Sequence, residues 1–157
     1  LKKSVKLSDM VRINDNRYGE FTPLLDKAMQ AYTDGLGAGA VVYLRKIFEK
    51  ITVKTAKAVD IKYAQYEGGT PKNFSALLKK VDEKCSIIPK EFSANGYKLF
   101  RELSGVVHGE YDEDAGLKNF EALHRLVIGI LENVINHKEL LDAITVLGWN
   151  EERGEDK

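Results

Sequence analysis

The stretch 41-VVYLRKIFEKITVKTAKA-58 decides the fold. Val41, Leu44, Ile47 with Phe48, Ile51, Thr55 and Ala58 step by three and four, the spacing that puts side chains on one face of an α-helix. The spacing predicts a long amphipathic helix over about 38–66. The preceding 35-GLGAGA-40 breaks or tightens the chain, and its small residues open the start of this helix to close approach by a neighbour. It is not a phosphate loop, because no GxxxxGK[ST] is present and no strand leads into it.

The helical period extends through the rest of the chain. On the N-terminal side, Thr22-Pro23 reads as an N-cap with proline at the first helical position. Leu24, Leu25, Ala28, Met29 and Tyr32 then give a helix over about 22–34. Residues 1–20 have no helical period: SVKLSDMVRI alternates loosely and NDNRYG is dense in turn formers, so an extended arm or short hairpin is expected. On the C-terminal side, 68-GGTPKN-73 is a loop. Phe74, Leu77, Leu78 and Val81 mark a helix over about 72–85, and Pro89 precedes one over about 90–109. After the acidic turn 109-GEYDEDAG-116, Leu117, Phe120, Leu123, Val127, Ile130 and Val134 give a helix over about 115–136. A final piece over 137–147 ends at Gly148-Trp149. The sequence therefore predicts an all-α fold, a bundle of four to five antiparallel helices with a short extended N-terminal arm. The divisions are an arm or linker remnant at 1–20, the bundle at 21–149 and an acidic flexible tail at 150–157.

Composition fits this reading. The 157 residues make one domain with a real core. Apolar runs are too short to span a bilayer, and the opening LKKSVKLSDM has no apolar block of a signal peptide. The start at Leu1 rather than Met suggests a piece of a longer protein with further domains. A single cysteine, Cys85, excludes an internal disulfide and suits a reducing, cytoplasmic setting; it reads first as a small apolar residue and second as a reactive thiol beside Lys84. The 24 basic and 24 acidic residues cancel, but unevenly. From Val41 to Arg101 there are 13 Lys/Arg against 6 Asp/Glu, while 102–121 is acidic. The basic half is either a set of solvated helix faces or a surface for phosphate.

The stretch 101-RELSGVVHG-109 carries the chemistry. On a helix, Leu99, Phe100, Leu103, Val106 and Val107 form the core face. Arg101 and His108, seven steps apart, fall within about 20° of each other, two turns apart. Tyr97, Ser104 and Gly105 complete a polar or small stripe roughly opposite the core. A structural reading gives His108 to the negative end of the helix dipole and Arg101 to an acidic partner. Gly105, unfavourable by about 1 kcal/mol against Ala inside a helix, points instead to close approach by a second copy or by a nucleotide backbone.

This R-x6-H at the end of a bundle helix, with the upstream 41-VVYLRKIFEKI-51, resembles the R-x4-6-H signature of HEPN domains over about residues 25–136. The resemblance implies homodimerisation across the motif helices and, in active members, metal-independent RNA cleavage by Arg101 and His108. Ser104, Tyr97 and Glu102 would touch substrate; Glu102 stands where active members often carry Asn, Asp or His. The chemistry is self-consistent: His108 titrates near neutral pH and Arg101 offers a fixed planar cation for phosphorane charge. No cofactor fingerprint is present, and His124 and His137 lack metal-ligand spacing. Glu110, Asp112, Glu113 and Asp114 lack the glycine and terminal glutamate of a calcium loop and read as the charged start of the following helix. Three functions follow: a HEPN-like RNA-cleaving or RNA-binding domain of a prokaryotic defence-type protein, a non-catalytic dimerisation or sensing module of such a protein, and a plain helical interaction domain.

Overall fold

The computed structural model describes residues 17–68, 70–105 and 112–149, those of 93–97 without their side chains. The expected arm lies outside them except at its end, and the tail 150–157 lies outside them entirely. The fold is an all-α bundle. Among the described residues the α-helices are α1 (Thr22–Thr33), α2 (Gly37–Ala58), α3 (Phe74–Cys85), α4 (Gly96–Gly105) and α5 (Glu113–Val146). Two 3₁₀ turns, Gly19–Phe21 and Lys90–Asn95, lead into α1 and α4.

Helix α2 is the hub, packing against α1, α3, α4 and α5. Its stripe of Val41, Leu44, Ile47, Phe48 and Ile51 is buried, as the spacing predicts. Two aromatic groups join the layers. Tyr32 of α1 stacks on Phe120 of α5 at 4.4 Å, and Phe74 of α3 meets Phe48 at 5.7 Å and Phe100 of α4 at 4.7 Å. The lone buried polar residue of the described core, Thr52, donates its hydroxyl to the Phe48 carbonyl at 2.8 Å.

The small residues before α2 serve the close approach expected of them. Gly37 and Gly116 face each other so tightly that a Cβ on Gly37 would lie 2.8 Å from the Gly116 carbonyl carbon. One on Gly116 would lie 2.7 Å from the Ala38 nitrogen. The Ala38 N–H donates to Glu113 Oε2 at 3.2 Å, so the first turn of α5 caps the first turn of α2. Asp112 accepts from the Ala115 N–H at 2.7 Å, which makes the acidic turn the N-terminal charge cluster of α5.

Several boundaries differ from expectation. Helix α2 stops at Ala58 rather than near 66. Asp60 takes a left-handed conformation at φ 62°, and the Ile61 and Asp60 N–H groups close onto the Ala56 and Lys57 carbonyls. Asparagine and aspartate tolerate this conformation, but without glycine the stop is hidden in the sequence. Thr22 is not the cap of α1: the chain enters from the 3₁₀ turn already helical, and the Thr22 hydroxyl is buried without a partner. The described end of the arm is thus helical rather than extended. The pieces 115–136 and 137–147 are one helix of 34 residues, since no glycine or proline interrupts 130–147.

Direction also departs from a simple antiparallel bundle. Helices α1 and α2 are antiparallel, joined by the short turn at Asp34–Leu36, where Gly35 at φ 79° lets the Leu36 N–H reach the Ala31 carbonyl. Helices α2 and α5 run the same way. They start together at Gly37 and Gly116, and Ile51 and Ala58 wall one cleft with Leu131 and Leu141 farther along. The long connection between them, holding α3, α4 and the link 59–73, makes this direction available.

Candidate functional site

Helix α4 holds the candidate site. Leu99 and Leu103 are buried and Phe100 is half-buried against Phe74, as predicted for the core face of this helix; Val106 and Val107 of that face lie outside the described residues. Arg101 and Glu102 are exposed. No described carboxylate pairs with Arg101; Glu113 accepts from Ala38 and Asp112 from Ala115. Glu110 of the same acidic turn lies outside the described residues.

Ser104 is half-buried, and its hydroxyl is shielded from solvent without a hydrogen-bond partner among the described residues. A buried hydroxyl left unpaired costs about 1–3 kcal/mol, so this group is conspicuous. Gly105 is buried within the chain itself. It therefore does not lie on an open stripe opposite the core, and this glycine gives no support to an inter-chain contact. His108 and the Tyr97 side chain lie outside the described residues, so α4 brings Arg101, Glu102 and Ser104 within one turn, and the two other site positions are known by sequence alone.

Other titratable groups sort themselves by environment. His124 stacks on Phe120 at 5.4 Å, and burial, aided by Arg125, holds its imidazole below the usual 6.5. Burial pushes the Cys85 thiol up against the pull of Lys84, so Cys85 is the inert small residue rather than a thiolate. Tyr18 is 8 % exposed and donates to Glu132 Oε1 at 2.8 Å; burial first and Glu132 second raise its phenol to about 12. Arg45 and Glu49 form a half-buried i,i+4 pair at 2.9 Å on α2, and burial raises the Glu49 carboxyl despite the guanidinium. Among the described residues no group of three His, Cys, Asp or Glu could hold a metal, and no helix is long and apolar enough to cross a membrane.

Two surfaces escaped the sequence reading. One is a cleft of about 720 Å³ with walls of Phe21, Ile51, Cys85, Leu131 and Leu141, mainly apolar. Beyond it the last turns of α5 stand out from the bundle with Leu140, Leu141, Leu147 and Trp149 exposed and Val146 86 % exposed. The second surface is the outer face of α2. The lysine surplus signalled it, but its one-sidedness needed the packing of α2 to be known.

No protein-family model matches the chain, and no curated protein or solved structure was found to match it.

Proposed function

We propose that this chain is a HEPN-like domain that binds RNA through Arg101 and His108 and cleaves it without metal, with a second copy completing the site. The observation that carries this reading is an exposed Arg101 that no described acid neutralises. An exposed guanidinium is free to meet phosphate in bidentate fashion. His108 supplies the proton transfer that attack by a 2′-OH requires. Glu102 beside the arginine weakens the local attraction for phosphate and makes slow turnover the expected behaviour.

The test is cleavage and binding of RNA in EDTA by the wild type, His108→Ala and Arg101→Ala. His108→Ala should abolish cleavage and spare binding. Arg101→Ala should reduce both. A wild type that neither binds nor cleaves RNA refutes the proposal.

A second reading, the non-catalytic assembly module, is favoured by a different observation: the exposed leucines and Trp149 at the end of α5. Apolar side chains so concentrated mark a protein contact. On this reading the assembly surface is α5 rather than the Arg101 face. Sedimentation of the wild type beside Leu140→Ser with Leu147→Ser decides it: a monomeric wild type at high micromolar concentration excludes self-assembly.

A further inference from the structure

From Val41 to Lys57, every exposed residue of α2 is a lysine: Lys46, Lys50, Lys54 and Lys57. At 100° per residue the four lie within about 80° of arc, opposite the buried stripe, and span about 16 Å along the axis in steps of about 4–6 Å. The carboxylate of the same helix, Glu49, is half-buried and paired with Arg45, at the margin of the row beside Lys46. In a chain with 24 basic and 24 acidic residues, this is a local separation of charge rather than a general excess.

The row is also partly organised. The Lys46 ammonium sits 5.4 Å from the centre of the Tyr43 ring, and Lys50 and Lys54 sit 5.5 and 5.8 Å from that of Phe21. Ammonium groups held over aromatic faces lose less rotamer freedom on meeting an anion. Besides Glu49 beside Lys46, one acid is bonded to the row: Glu20, joined to Lys54 at 2.6 Å and held below its usual carboxylate range by that lysine.

We propose that the outer face of α2 is a binding track for the phosphodiester backbone of single-stranded nucleic acid, read without regard to base sequence. A strand presents evenly repeated single charges along a line, which is the pattern of this row. A lipid surface fits less well. Binding in a membrane interface needs large apolar side chains beside the cations, and Val42, Tyr43 and Val53, which flank the lysines, are half-buried in the bundle. The track is a site separate from Arg101 and stands or falls without it.

The experiment is fluorescence anisotropy of labelled 20-nucleotide oligo(U) and oligo(dT) with the full 157-residue chain between 50 and 200 mM KCl. Three phosphate contacts on a single strand, from Lys46, Lys50 and Lys57, give a slope of log K against log salt of about −2.1, or about a 20-fold loss of affinity over that range, Lys54 being held by Glu20. Both oligonucleotides should bind alike. The variant Lys46→Gln, Lys50→Gln, Lys57→Gln, which leaves the Glu20–Lys54 pair intact, should reduce the slope to near zero. Its helical circular dichroism should be unchanged, because all three side chains are exposed. Arg101→Gln, made in parallel, separates the two sites. If the triple variant binds as the wild type does and Arg101→Gln does not, the track is wrong and the Arg101 reading survives. Loss in the triple variant alone supports the track and leaves the Arg101 reading without support. Equal binding of poly-glutamate, or of vesicles with one-third phosphatidylserine, at the same salt slope overturns the assignment to nucleic acid.

Discussion

Replacing Gly37 with alanine tests the crossing that sets the bundle. The mildest of the clashes faced by the new Cβ is 2.8 Å to the Gly116 carbonyl carbon; the Glu113 carbonyl oxygen and the Leu117 nitrogen are closer still. Ordinary carbon contacts begin near 3.5 Å, so α2 and α5 must separate by at least ~0.7 Å. The opposing atoms are backbone, so no rotamer change relieves the strain. Overpacking of this kind costs about 1–3 kcal/mol. The usual gain from Gly to Ala inside a helix, about 0.5–1 kcal/mol, is small here because Gly37 is the first helical residue. A net loss of about 1–3 kcal/mol follows, equivalent to a fall in Tm of about 2–12 °C for a domain of this size. Gly39→Ala is the control. Its Cβ would meet only Leu36 Cβ at 3.8 Å, an ordinary contact. That variant should be more stable, by about 0.5–1 kcal/mol. Thermal and urea unfolding of both variants measure the difference. If Gly37→Ala unfolds no earlier than Gly39→Ala, the backbone crossing does not exist as described.

The half-buried His124 makes stability depend on acid. Its folded value lies below 6.5, so its contribution is complete above pH 6.5 and is lost as pH falls from there through the lowered folded value. Urea unfolding at pH 5 and pH 7.5 should show a larger acid loss in wild type than in His124→Gln; equal losses would contradict the burial. Asp112→Ala removes the cap on Ala115 and should lower stability by about 1 kcal/mol, whereas Asp112→Asn should retain most of it, both read from urea midpoints.

Much of this fold was legible in residue spacing. The stripe of α2, the core positions Leu99 and Leu103 of α4 and the capping role of the acidic turn all follow from local rules, and the structure agrees. What was hidden depends mostly on partners distant in sequence. The end of α2 is an exception: the chain closes locally over Ala56 and Lys57, with Asp60 rather than glycine in the left-handed position. Gly105 reads as exposed on an isolated helix wheel, yet it is buried once the bundle assembles. The direction of α5 relative to α2 cannot be read from either helix, because it is set by the path of everything between them. The candidate site was read from a motif of which only Arg101, Glu102 and Ser104 have described side chains, and that no described acid pairs with Arg101 is a fact of tertiary placement.

The parallel arrangement of α2 and α5 also fixes an order of events in folding. Helices α1 and α2 are separated by the short turn Asp34–Leu36 and can zip together as a local hairpin. The α2–α5 pair closes a loop of roughly 50 residues, which raises the closure entropy by about 2–3 kcal/mol over the hairpin. Contacts between Gly37 and Gly116 therefore form late, after the hairpin has made the surface on which α5 lands. Substitutions in the α1–α2 contact should slow folding, and those at the glycine crossing should instead speed unfolding.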